Sequence, residues 1–190
     1  MKKRLTLIQM DVYVNDVEYN YNRVQELLSQ SLSENPDIIV LPETWNTGFY
    51  PSTDLINIAD ANGDRTKALL RAFSKEHNVN IVGGSVAVAK ENLVFNTSYV
   101  YNRSGELVGE YSKMHGFSPA KEDKYFASGT HTTHFELDGI PCSTVICYDI
   151  RFPELVRMAA LPGTELLFVP AQWPTMRLRH WQVLNLSLIH

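Results

Sequence analysis

Apolar and polar positions along the chain follow two periods, and the switches between them lay out the elements. Arg4 to Met10 reads as a first strand, and Asp16 to Ser33 as an amphipathic helix in which Val17, Tyr21, Val24, Leu28 and Leu32 recur every three or four residues. Asp37 to Leu41 is nearly all apolar and is closed by Pro42, as expected of a central strand buried on both faces. Asp64 can cap a second helix whose Leu69, Leu70, Phe73 and His77 share a face, and Val79 to Ala89 is β-rich with an interruption at Gly83-Gly84. Beyond Asn92 the signals turn antiparallel: Phe95 to Asn102 alternates, Arg103 to Glu106 turns, Leu107 to Tyr111 runs on, and Asp138-Gly139 marks a further hairpin. A helix over Pro153 to Leu161, a strand over Glu165 to Val169 and a helical run from Thr175 to the end complete the order. Strands and helices that alternate, interleaved with hairpins, predict an α/β fold in which a mixed sheet carries helices outside.

Composition narrows this to one domain over residues 1–190. A chain of 190 residues with 44% hydrophobic and 20% charged positions has enough material for one core and too little for two generous ones. Its formal charge of −4 argues against nucleic acid or an anionic membrane as partner, either of which favours a basic face. The basic start, Lys2-Lys3-Arg4, is followed by an apolar stretch that stops at Gln9 and Asp11, too short for a signal-peptide core. No stretch approaches the roughly 20 apolar residues that span a bilayer, so a cytoplasmic protein is expected. If Cys142 and Cys147 share one extended strand they lie about 16 Å apart on opposite faces, beyond disulfide reach, and two free thiols fit a reducing compartment.

Three residues stand where chemistry is possible, and each also has a plain reading. Glu43 follows a buried strand and a proline, at the strand end where open α/β sheets place ligands; the plain reading is a solvated strand-end carboxylate. Cys147 ends the apolar run from Ser143 and precedes Tyr148 to Glu154, an order of strand, sharp turn and helix. Such an elbow can set a thiol near a helix N-terminus, whose partial positive charge favours the thiolate; the plain reading is a small buried hydrophobe. Lys113 lies at the end of a strand and the start of a loop, where most lysines are surface charges. His131 and His134 offer two imidazoles, but nothing nearby completes a set of three or four donors, so no metal is expected. Gly83-Gly84 lacks the pattern of a phosphate-binding loop, and no cofactor is implied.

Taken together and in order, Leu41-Pro42-Glu43, Lys113-x-His115 and Cys147-Tyr148-Asp149-x-Arg151-Phe152-Pro153-Glu154 are similar to the signature of the nitrilase superfamily of carbon-nitrogen hydrolases. The resemblance runs from the opening strand with Gln9 to Ala171-Gln172-Trp173-Pro174. Thr44 to Phe49 and Gln172-Trp173-Pro174 look most like the omega-amidase branch. It implies an αββα sandwich of two mixed sheets with outer helices, and a homo-oligomer, such as a dimer, assembled through those helices. It implies further that Cys147 attacks a small carboxamide, that Glu43 is the general base, and that Lys113 with the Tyr148 backbone N–H faces the oxyanion. Glu122 matches a second glutamate of the family, positioning Lys113 or the substrate, although its charged run Lys121 to Lys124 also reads as a solvated loop. Asp149, Arg151 and Glu154 are expected to form a structural ion-pair set beneath the elbow. Trp45, Phe117, Tyr125 and Trp173 are candidate walls of the substrate pocket, although aromatics beside an active site are as often core.

Relatives of this kind continue past the point where this chain stops, at the apolar, uncapped Leu186 to His190. That implies a domain truncated or frameshifted near residue 187, with its last part missing. The leading expectation is an amidase acting on a monoamide of a small dicarboxylic acid. A nitrilase or carbamoyl hydrolase is the alternative within the family, and a catalytically inactive fragment is the alternative outside it.

Overall fold

The structure, a computed structural model, describes residues 2–49 and 54–187. Strand β1 (Leu5–Leu7) leads to helix α1 (Val17–Ser31), which starts where the Asp16 side chain accepts the Tyr19 N–H at 3.1 Å. The periodicity then buries Tyr21, Val24 and Leu28. Strand β2 (Ile38–Val40) is buried throughout, as its unbroken apolar run requires. After the short helix α2 (Leu55–Ile58) and strand β3 (Asp60–Ala61) comes helix α3 (Asp64–His77). Its cap differs from expectation. Gly63, in the left-handed region at φ 72°, holds the cap position, Asp64 is the first helical residue, and the carboxylate that accepts first-turn N–H groups is that of Asp60, from Arg65 at 3.2 Å and Thr66 at 2.8 Å.

Strands β4 (Asn80–Val82) and β5 (Val86–Lys90) both pair with the same edge of β6 (Leu93–Tyr101), whose other edge carries β7 (Leu107–Ser112). They are one strand line broken at the glycine pair that the sequence singled out. The first sheet therefore runs β1-β2-β4-β6-β5-β3, with β7 beside β6. A single helical turn, α4 (Glu122–Tyr125), precedes the hairpin of β8 (Thr133–Leu137) and β9 (Ile140–Thr144). Asp138 and Gly139 join them at φ 52° and 79°, both positive, as a two-residue turn matching the strand twist demands. Helix α5 (Pro153–Ala160) and strand β10 (Leu166–Phe168) follow, giving a second sheet of order β10-β9-β8. Helix α6 (Leu178–Ser187) closes the described part; residues 188–190 of the expected helical run lie outside it.

Packing places these elements in four layers. Ile39, Ile81, Val86 and Tyr99 face α1 and α3 through Tyr21, Leu28, Leu70 and Phe73. On the opposite face Ile38, Val40, Val82 and Val100 meet Phe135, Leu137, Cys142 and Phe168 of the second sheet. Leu155 and Ala159 of α5 cover the far side of that sheet over Val145 and Leu167. The result is the αββα sandwich of two mixed sheets that the resemblance implied, one sheet more than periodicity alone predicted. Among the described residues no helix is long and apolar enough to cross a membrane.

The break between β4 and β5 matters because the chain leading to Glu43 is strapped to it. The Ser85 N–H donates to Pro42 O at 3.0 Å, and Ser85 Oγ and O receive the Thr44 and Trp45 N–H groups at 3.0 and 3.1 Å. Gly84 has φ +61°, and a Cβ there would stand 2.0 Å from Pro42 O. Gly84→Ala is therefore expected to lower the urea midpoint with an unchanged slope, a loss of about 3 kcal/mol or more. A variant as stable as the parent would contradict this account of the strap.

Candidate active site

Glu43, Lys113 and Glu122 come from three distant stretches and meet inside the protein, exposed by only 0%, 4% and 2%. Glu43 follows β2 directly. Lys113 follows β7, where its N–H still pairs with Asn96 O of β6 at 2.9 Å. Glu122 opens α4, so the charged run from Lys121 is a helical turn with its glutamate facing inward rather than a solvated loop. Lys113 Nζ donates to Glu43 Oε1 at 2.8 Å and to Glu122 Oε1 and Oε2 at 2.9 and 2.8 Å. Burial pulls the lysine pKa down, but the surrounding negative groups, Glu43 foremost, outweigh it, and the net shift is upward. Lys113 thus stays an ammonium. Removing it would leave two carboxylates buried without their counter-ion, a loss of about 3–5 kcal/mol.

Two further residues complete this cluster and were not singled out by sequence reasoning. Asn96 Nδ2 donates to Glu43 Oε1 and to Glu122 Oε1, both at 3.1 Å, so one amide bridges the two carboxylates. Gln172, read only as part of a motif, donates its N–H to Glu43 Oε2 at 2.9 Å and its Nε2 to Glu43 O at 2.6 Å. The available signal for Asn96 was a polar run, Asn96-Thr97-Ser98, in the middle of an otherwise apolar strand. Glu122 is anchored separately by the Phe117 N–H at 2.8 Å.

Cys147 stands on the elbow that its sequence context predicts. Its backbone has φ 47°, and its N–H is held by Pro170 O at 2.9 Å beyond the end of β10. Asp149, fully buried, ties the elbow together. It accepts from the Ile146 N–H at 3.0 Å, Tyr111 OH at 2.7 Å and the His115 N–H at 3.0 Å, and lies 2.9 Å from His115 Nδ1. The expected set of Asp149, Arg151 and Glu154 is not formed. Asp149 pairs with His115 instead, because Arg151 and Glu154 both face outward.

The thiol is protonated, as a general base at Glu43 requires and contrary to what a helix end alone would favour. Cys147 is 3% exposed and lies within the fields of the Glu43 carboxylate and of Lys113. Burial first, then the Glu43 charge, push its pKa well above the ordinary cysteine range, against the pull of Lys113. The turn that begins at Cys147 is a short 3-10 helix over Cys147–Arg151, and its end charge does not offset that burial. The resting side chain is therefore a neutral thiol beside a carboxylate, an arrangement suited to general-base activation. The first N–H groups of a helix have no partner within it, and that of Tyr148 is one of these, next to the thiol.

A cleft opens over Cys147, walled by Phe49, Phe117, Tyr148 and Trp173 and flanked by Arg151 and Arg177. Phe117 and Trp173 thus stand where the sequence suggested pocket walls. Trp45 does not. It is fully buried on the α1 side of the first sheet, edge-on to Tyr21 at 4.8 Å with Nε1 donating to Gly83 O, because the chain turns sharply at Thr44, φ 42°. Tyr125 is also elsewhere, packed with Leu55, Ala87 and Val94. Both cysteines are free, with Cys142 in the core between the sheets. Among the described residues no group of three or more His, Cys, Asp or Glu side chains is placed to hold a metal.

Comparison with known proteins agrees with this geometry. The 2-oxoglutaramate amidase of Bacillus subtilis is 39% identical over 187 residues, covering 98% of this chain and 71% of that protein. The chloroplastic omega-amidase of Arabidopsis thaliana is 30% identical, covering 97% of this chain and 53% of that protein. A CN-hydrolase superfamily protein from Xanthomonas campestris, solved with an arsenic adduct in its active site, superposes with a TM-score of 0.83 at 29% identity, covering 96% of this chain and 69% of that one. The carbon-nitrogen hydrolase family model itself matches residues 4–188, and with a buried Glu–Lys–Cys constellation inside that span, this chain belongs to the carbon-nitrogen hydrolase family.

Proposed function

We propose that this protein hydrolyses the carbon-nitrogen bond of a small carboxamide through a thioester on Cys147. The observation that carries the proposal is the meeting of the buried Cys147 thiol with the Glu43 carboxylate and the Lys113 ammonium, beside a cleft that Cys147 itself lines. Glu43 takes the thiol proton as sulfur attacks the amide carbon. The oxygen that gains charge is received by Lys113 Nζ and the Tyr148 N–H. Glu43 then hands the proton to the departing amine, which leaves as ammonia, and the thioester remains. In the second half Glu43 takes a proton from water, the hydroxyl adds to the thioester, and the carboxylic acid leaves as the thiol is restored.

Glu122 holds Lys113 through both of its oxygens and acts by positioning rather than by touching substrate. The relatives named for 2-oxoglutaramate and omega-amides support a monoamide of a small dicarboxylic acid as the substrate class. A nitrilase or carbamoyl hydrolase uses the same groups, and the substrate separates them.

Ammonia release from a panel of omega-monoamides, simple amides and nitriles tests the proposal. Release is expected from amides, lost to background in Cys147→Ala and reduced about 100- to 10,000-fold in Glu43→Gln. Release that survives Cys147→Ala would refute the thiol mechanism. The protonation state makes a second prediction. Because the thiol keeps its proton to higher pH than a free cysteine, iodoacetamide labelling of Cys147 should rise only above the ordinary cysteine range, about pH 8.5. Glu43→Gln removes a negative charge that favours the protonated form, so its profile should move to lower pH. A labelling plateau already reached at neutral pH would show a preformed thiolate instead.

A further inference from the structure

Hydrogen-bond accounting in the charge cluster separates its two glutamates. An ionised carboxylate offers about four acceptor positions, two on each oxygen. Those of Glu122 are all taken: Oε1 by Lys113 Nζ and Asn96 Nδ2, Oε2 by Lys113 Nζ and the Phe117 N–H. Glu43 Oε1 is filled in the same way, by Lys113 Nζ at 2.8 Å and Asn96 Nδ2 at 3.1 Å, while Oε2 accepts only the Gln172 N–H among the described residues. The position left open is therefore on Glu43 Oε2. Asn96 itself does not line the Cys147 cleft. It lines a separate pocket of about 60 Å³, with Lys113, Glu122 and Asp123, large enough to take water. Its Oδ1 is buried and has no partner among the described residues, so Asn96 is tied to the cluster by the hydrogen bonds that it donates.

We propose that Asn96 is a positioning residue: its amide fills the carboxylate positions that must not take the proton and leaves Glu43 Oε2 as the place where the Cys147 proton is received. The inference rests on the amidase reading and deepens its first step. Without the amide, Glu43 Oε1 and Glu122 Oε1 would each open one position to a proton or to water from the adjoining pocket. A proton lodged there is not delivered to the departing amine. The same bonds free the lysine. Lys113 commits its three N–H groups to Glu43 Oε1, Glu122 Oε1 and Glu122 Oε2, and must turn one of them to the carbonyl oxygen as that oxygen gains charge. Whichever carboxylate oxygen it leaves keeps a second donor, Asn96 Nδ2 on the two Oε1 atoms and the Phe117 N–H on Glu122 Oε2, so no buried oxygen is stripped of its partners.

Two substitutions of similar shape test this. Asn96→Asp keeps an acceptor but, ionised, has no donor, and Asn96→Leu has no polar atom and adds no charge. The reaction is read without any amide, as the burst of p-nitrophenolate released when p-nitrophenyl acetate acylates Cys147, with Cys147→Ala as background. Sulfur attacks the ester carbon, Glu43 takes the thiol proton and p-nitrophenolate leaves as the anion. The burst rate constant should fall about 10- to 100-fold in both variants, the range of a hydrogen bond to a charged group. The burst amplitude, which counts competent sites, should stay at the parental value. For an amide substrate kcat should fall by a similar factor with KM held, because Asn96 lies outside the cleft. A parental burst rate in Asn96→Leu, whatever Asn96→Asp does, overturns the proposal, and so does a loss of amplitude without a loss of rate, which would mark Asn96 as a space-filling residue. If the parent hydrolyses no amide but gives a burst, the amidase reading fails while the burst rates still decide the role of Asn96. No Cys147-dependent burst in the parent refutes both.

Discussion

An ammonium and two carboxylates sealed from water can be held only together, and this structure organises itself around that necessity. Lys113 is exposed by 4% and has Glu43 and Glu122 within 2.8–2.9 Å. Each member comes from a different stretch, so the charge cluster pins the end of β2, the end of β7 and the turn α4 to one point. The desolvation cost of three buried charges is large, and it is met only because Asn96, the Phe117 N–H and Gln172 supply the remaining hydrogen bonds. Hydrophobic layers on either face of the first sheet set the spacing within which this cluster fits.

The same cluster decides how the nucleophile is presented. Burial first and the Glu43 charge second keep the thiol protonated, against the pull of a lysine already shared by two carboxylates. Glu43 and Cys147 thereby stand as a carboxylate beside a protonated thiol, and in the proposed mechanism the proton passes between them only during attack. The elbow keeps the thiol there. Asp149 collects donors from the elbow itself, from Tyr111 on β7 and from the segment after Lys113, so Cys147 and Lys113 are positioned by one carboxylate.

Much of this was legible in the sequence, and the failures have identifiable causes. Element order, the break at Gly83-Gly84 and the Asp138-Gly139 turn follow from periodicity and turn chemistry, which are local. Glu43, Lys113 and Cys147 are singled out because their three segments occur together and in order, the cysteine segment being the most specific. Asn96 was passed over because it belongs to a polar run, Asn96-Thr97-Ser98, that reads the same whether it meets solvent or bridges two buried glutamates. Trp45 was misplaced because nearness in sequence to Glu43 suggested nearness in space, and the left-handed Thr44 sends the next side chain to the other face of the sheet. A helix end alone favours a thiolate at Cys147; burial and the Glu43 carboxylate, met across 104 positions of sequence, reverse that. Pairing of Asp149 with His115 rather than Arg151 is likewise a matter of which loop packs against the elbow.

The claim at the centre of this account is that Cys147 carries the acyl group between two half-reactions. Acid quenching of the protein during turnover of a small amide, followed by digestion and mass spectrometry, measures it directly. An acyl adduct on the peptide that contains Cys147, rising within the first turnover and absent from Cys147→Ala, is the predicted result. Steady turnover with Cys147 free of adduct at every time, or an adduct on another residue, would contradict it.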